Sequence, residues 1–188
     1  MRKSIRRLIA VTIAGFGIGA GPFAALAEKA PYAGMDARDI ASLSQEDVDA
    51  ILAGRGWGLA LPAELGGYPG PLHILELADD LNLSDTQRAE VQAVYDAMKA
   101  DAQKAGSAYV EAEAMLSHMF RMGHADPQRL ELMLKRSSDA LAELRAVHLR
   151  AHLTVTPMLT EDQKEIYARE RGYAGGHGHA GHGGHANH

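Results

Sequence analysis

The chain has 188 residues, with 24 Asp and Glu against 19 Lys and Arg, ten histidines and no cysteine. Lack of cysteine excludes a disulfide framework and a lipoprotein attachment site, so stability must come from packing alone. The acidic balance argues against nucleic acid and anionic lipid as partners and makes cations the more natural guests.

Residues 1–27 read as a secretory signal, which places the protein in the periplasm. Met1-Arg-Lys-Ser-Ile-Arg-Arg7 is a positive n-region, Leu8 to Ala27 carries no charge, and Ala25-Leu26-Ala27 is the small-x-small pattern that signal peptidase accepts. Glycines and Pro22 break the apolar stretch, which suits a cleavable signal better than the alternative, an uncleaved inner-membrane anchor of about 20 apolar residues. Cleavage would leave 15 of the 19 basic residues against 24 acidic ones, a net charge of −9.

Residues 28–43 have no periodic pattern and read as loose. Ser44-Gln-Glu-Asp47, followed by Val48, Ile51 and Leu52, predicts a short capped helix that stops at Gly54. Gly54 to Gly70 is rich in Gly and Pro and reads as irregular, so residues 28–70 form a mostly irregular segment with one short helix.

Residues 71–172 carry four helical patterns. Pro71 can open a short helix through Leu81. Ser84-Asp-Thr-Gln87 is a capping box, and from it an apolar stripe runs through Val91, Val94, Tyr95, Met98, Ala102, Ala105, Tyr109, Ala112, Leu116 and Phe120, interrupted only by Gly106 before Gly123 ends the helix. Asp126-Pro127 starts a second long helix, whose stripe of Leu130, Leu134, Leu141, Leu144, His148, His152 and Val155 ends at Pro157. Thr160-Glu-Asp-Gln163 repeats the capping box and opens a last short helix closing at Gly172. The short link at Gly123–Ala125 predicts antiparallel long helices. The expected fold is therefore all-α, a long helical hairpin flanked by two short helices. Residues 173–188 form a glycine-histidine tract without side chains for a core, expected to be disordered when empty.

Histidines dominate the candidate chemistry. His148 and His152, spaced i, i+4, share one helical face about 6 Å apart and continue the apolar stripe inward. Buried imidazoles need hydrogen bonds, a carboxylate or a metal, and this spacing can supply two ligands to zinc, nickel, cobalt or copper. His73, about 15 Å up the first short helix from the corner at Leu83, is predicted to reach the same level. Glu90, Asp101 and Met98 are candidates for a fourth ligand, and Glu76 can orient His73. The tail adds His177, His179, His182, His185 and His188, a weak, unselective scavenging arm. Met115, His118, Met119, Met122 and His124 cluster at the predicted hairpin tip; thioethers with imidazole suit Cu(I), while methionines filling irregular space are the simpler reading. No nucleophile elbow or phosphate loop is present, so an enzyme is not expected.

The repeated Leu83-Ser-Asp-Thr-Gln87 and Leu159-Thr160-Glu-Asp-Gln163 resemble the paired LTxxQ motifs of the periplasmic Spy/CpxP family, which includes zinc-resistance-associated and cobalt–nickel sensor proteins; the first copy has Ser84 for Thr. The resemblance spans about residues 71–172. It implies a four-helix hooked hairpin, usually a homodimer, acting in metal or envelope stress. Sensor-like members bind metal through a histidine on the first short helix and a late i, i+4 pair, matched here by His73, His148 and His152, although the sensors have methionine where this chain has His152. A glutamate from the sensors' second helix has no clear counterpart, since Gln92 falls near its place. Spy-like members instead are ATP-independent chaperones for unfolded envelope proteins. The expectation is thus a heavy-metal sensor or buffer, with a chaperone as the alternative; a membrane-bound regulator is a further partner that sensing would require.

Overall fold

Helix starts in this chain are local chemistry. Ser44, Ser84 and Thr160 each accept the backbone N–H three residues on, while the side chains of Asp47, Gln87 and Gln163 reach back to the capping residue's own N–H. Asp126 accepts from Arg129 N, and Pro127 occupies the first helical position, where a missing N–H is harmless. The computed structural model describes residues 31–173, and among them every regular element is helical: α1 (Gln45–Leu52), α2 (Leu61–Leu65), α3 (Pro71–Glu76), α4 (Asp85–Arg121), α5 (Pro127–Val155), a 3-10 turn (Thr156–Met158) and α6 (Glu161–Glu170). No described helix is long and apolar enough to cross a membrane. Every helix among the described residues belongs to one compact unit, which begins at Gly34.

α4 and α5 pack side by side, the chain reversing between Met122 and Asp126, so that Arg136 meets Glu111 at 3.3 Å and the Ser137 hydroxyl donates to Glu113. Two apolar clusters lie along them. One joins Ile40, Leu43 and Ile51 to Ala102, Tyr109 and Leu144. The other joins Ile74, Leu81, Val91, Val155, Leu159 and Tyr167, locking α3 and α6 over the end of α5.

Gly106, a weak point on helix propensity, is explained by the first cluster. A Cβ there would stand 2.7 Å from Ile51 Cγ2 and 2.8 Å from Ile51 O, so only glycine lets α1 come this close. The second cluster is stitched by the glutamines of the two repeated motifs. Gln87 Nε2 donates to Gln163 Oε1 at 2.9 Å and to Met158 O at 2.8 Å, and Gln163 Nε2 donates to Leu81 O at 3.2 Å and to Gln87 Oε1 at 3.2 Å. Each glutamine therefore caps its own helix and clasps the other.

Several sequence expectations change. Residues 38–43 are not loose: Ile40 and Leu43 are core residues, Arg121 donates to Asp39 O at 2.6 Å, and Ser42 donates to Glu113. The Gly54–Gly70 stretch contains α2, opened by Pro62 in its first turn. The helix from Pro71 is regular only to Glu76 and continues as turns to Asn82, where φ is +48°. Phe120 and Leu134 belong to the predicted stripes yet are 57% and 46% exposed, because no third element among the described residues covers them. The predicted signal (1–27) and the tail histidines His177, His179, His182, His185 and His188 lie outside the described residues.

Candidate metal centre

The end of α5 carries its histidines into the fold, against α2 and α3. His148 is 3% exposed and His152 is 7% exposed. Burial, with a smaller contribution from His152, pushes the His148 pKa below the ordinary imidazole range, so the ring is held neutral. Its Nε2 is buried and has no hydrogen-bond partner, an unusual state for a polar atom in a core.

His152 is oriented from the other side. Its Nδ1 lies 2.7 Å from the carbonyl oxygen of Tyr68, which can only accept, so Nδ1 bears a proton and Nε2 is the nitrogen that can offer a lone pair. Gly70 makes room for this ring: a Cβ at Gly70 would stand 2.8 Å from His152 Cε1 and 3.0 Å from Nε2. His73, on α3, is half-buried and donates Nδ1–H to Glu76 Oε2 at 2.8 Å, again leaving Nε2 as the free nitrogen. A ligand histidine whose other nitrogen is tied to a carbonyl or carboxylate is the usual supporting arrangement at metal sites.

His73, His148 and His152 line a single pocket of about 420 Å³, together with Met98, Tyr95 and Lys99. Among the described residues, however, no group of three or more His, Asp or Glu side chains stands close enough to hold an ion. The three imidazoles share a pocket without forming a ready ligand set. Of the expected fourth ligands, Met98 lines this pocket; Asp101 lines a different groove between α4 and α5, and Glu90 is exposed and lines neither. Gln92 donates to Asp96 at 2.9 Å on the surface of α4.

Glu64, on α2, is a participant that sequence patterning does not reveal. It is 8% exposed and stands behind His152, with its Oε2 3.9 Å from Nδ1 and without a hydrogen-bond partner. Its Oε1 accepts from the Tyr167 hydroxyl at 2.6 Å and from Arg171 Nε at 3.3 Å. Burial and the Glu64 hydrogen bond drive the Tyr167 pKa far above its ordinary value, so the phenol stays a donor. The one local signal for Glu64 is Leu61-Pro62-Ala63-Glu64, a proline placed to open a helix inside the glycine-rich stretch.

No family model matches the chain, and no curated protein or solved structure is detectably similar to it.

Proposed function

We propose that this protein is a periplasmic heavy-metal-binding protein, a sensor or buffer in metal or envelope stress, built as an LTxxQ-type hooked hairpin of the Spy/CpxP kind. The observation that carries the reading is the buried, unpartnered Nε2 of His148 in the pocket it shares with His152 and His73. A divalent transition metal such as zinc, nickel, cobalt or copper would supply the missing partner and act as a Lewis acid toward these nitrogens.

His148 and His152 would hold the ion from α5, with Tyr68 O and the Glu64 carboxylate fixing and balancing the His152 ring. His73 would complete the set by turning inward; its side chain is 33% exposed and is held by an exposed contact with Glu76, so the rotation meets little packing. Met98 is the soft fourth candidate. Because His148 is held neutral, it offers its lone pair without first losing a proton. The tail histidines would gather metal outside this site, and a membrane-bound regulator would be the partner of a sensor.

Calorimetric titration with zinc, nickel and copper, on the full chain and on a chain ending at Tyr173, tests the reading. The expected outcome is one site that survives tail removal and weakens more than about tenfold in His148→Gln, at least the loss seen when only a ligand's support is removed. Binding that disappears with the tail would sink the folded site.

A second reading is an ATP-independent chaperone for unfolded envelope proteins. It is favoured by an open, largely apolar groove of about 620 Å³ between α4 and α5, lined by Val94, Ala105 and Val147 and fringed by charges of both signs, Lys104 and Arg150 with Asp101 and Glu143. The same groove suits a second copy of the chain in a homodimer. Failure to protect a denatured client at stoichiometric protein would remove this reading.

A further inference from the structure

The turn between α4 and α5 holds a second cluster of metal-ligating side chains, far along both helices from His148. Met115, His118 and Met119 occupy one turn of α4 at i, i+3 and i+4, so their side chains share a face. α5 brings Met133 to the same place, and His124 arrives from the connection, the five lining one pocket of about 460 Å³. Four of the chain's eight methionines, counting Met122 beside them, stand at this end.

The backbone explains how His124 comes to line the same pocket as Met119. Gly123 adopts φ +68°, His124 N donates to Met119 O at 3.0 Å, and Gly123 N donates to Phe120 O at 3.0 Å. This is a Schellman ending, in which the residue after the glycine folds back onto the residue three before the cap. An apolar side chain usually fills that folded-back position; here it is an imidazole that lines the same pocket as the Met119 thioether. Arg129 fastens the turn by donating to His124 O at 3.2 Å.

Charge at the pocket is already matched. Arg129 pairs with Asp126 at 3.2 Å, and Glu111 pairs with Arg136 at 3.3 Å. What the lining leaves for a guest is neutral sulfur and imidazole. Such a donor set is poorly suited to hard ions, and its thioethers suit a soft monovalent one. Met119 is buried, whereas Met115 and His118 are exposed, so the pocket has a floor and an open mouth.

We propose that the α4–α5 turn is a soft-metal site that takes one Cu(I), or its analogue Ag(I), between the thioethers of Met115, Met119 and Met133 and the imidazole of His118 or His124. The site is separate from His73, His148 and His152 and does not depend on their binding metal. It gives the protein two selectivities: nitrogen for divalent ions near α3, sulfur for cuprous ion at the turn.

The test loads the full chain with one equivalent of Cu(I) without oxygen and records copper X-ray absorption. With no cysteine in the chain and no sulfur in its tail, sulfur around copper can come only from methionine. The expected spectrum contains sulfur ligands. In M115L/M119L/M133L, which keeps side-chain volume nearly constant, sulfur is lost and Cu(I) affinity in competition with bicinchoninate falls more than about tenfold. M98L leaves both unchanged. Nitrogen-only coordination in the unaltered chain would overturn the proposal whatever the fold of the variants. So would sulfur coordination that survives the triple substitution or is lost in M98L.

Discussion

His148 shares with Glu64 a burial that leaves one polar side-chain atom without a hydrogen-bond partner. A leucine at the same place would complete the stripe of α5 without an unpartnered atom, whereas the imidazole keeps an unbonded Nε2 in the interior. The consequence for stability has a definite sign. The folded-state pKa is depressed by burial and by His152, while the unfolded chain titrates near the ordinary value of about 6.5. Above that pH both states are neutral and stability is full. As pH falls below it, the unfolded chain takes up a proton that the folded chain refuses, and stability is lost until the depressed folded pKa is reached. The limiting slope is about 1.4 kcal/mol per pH unit for one proton. In urea unfolding without metal, the wild type is expected to lose more stability than His148→Gln between about pH 7.5 and 5.5. Equal losses would mean that His148 protonates as readily in the fold as outside it.

The two repeated motifs show how far an element can be read from its own residues. Ser84 with Gln87 and Thr160 with Gln163 are legible as helix starts, because a capping box lies within four residues. Nothing within those four residues says that the glutamine amides also bond to each other across 76 positions, or that Gln163 reaches Leu81 O. Tertiary placement adds that second role. A double-mutant cycle on Gln87→Ala and Gln163→Ala is therefore expected to give a coupling of about 1 kcal/mol or more, read from urea unfolding. Additive losses would reduce the glutamines to independent caps. α2 and the strap at residues 38–43 are illegible in sequence for a related reason. Five residues among glycines and prolines make no periodic pattern, and Ile40 and Leu43 become core only because α4 and α5 supply a surface for them.

At the scale of the molecule, apolar stripes are enough to identify the helices and the inward turn of His148 and His152, while the approach of His73 depends on how α3 folds back. The structure puts all three on one pocket and adds Gly70 and Glu64, whose roles exist only in three dimensions. It also shows the limit of pattern reading: the stripes run on to Phe120 and Leu134, which face solvent near the methionine-lined turn. The acidic chain thus carries donors at two levels of one helical framework, with tail histidines beyond it. Whether the pocket histidines, and not the tail alone, take a divalent metal is tested most directly by zinc titration of the full chain with ¹⁵N-labelled imidazoles, followed by NMR. The Nε2 resonances of His73, His148 and His152 are expected to move together and saturate at one equivalent, in a step separate from the tail. A response confined to His177, His179, His182, His185 and His188, with His148 Nε2 keeping its metal-free shift, would contradict metal binding in the folded pocket.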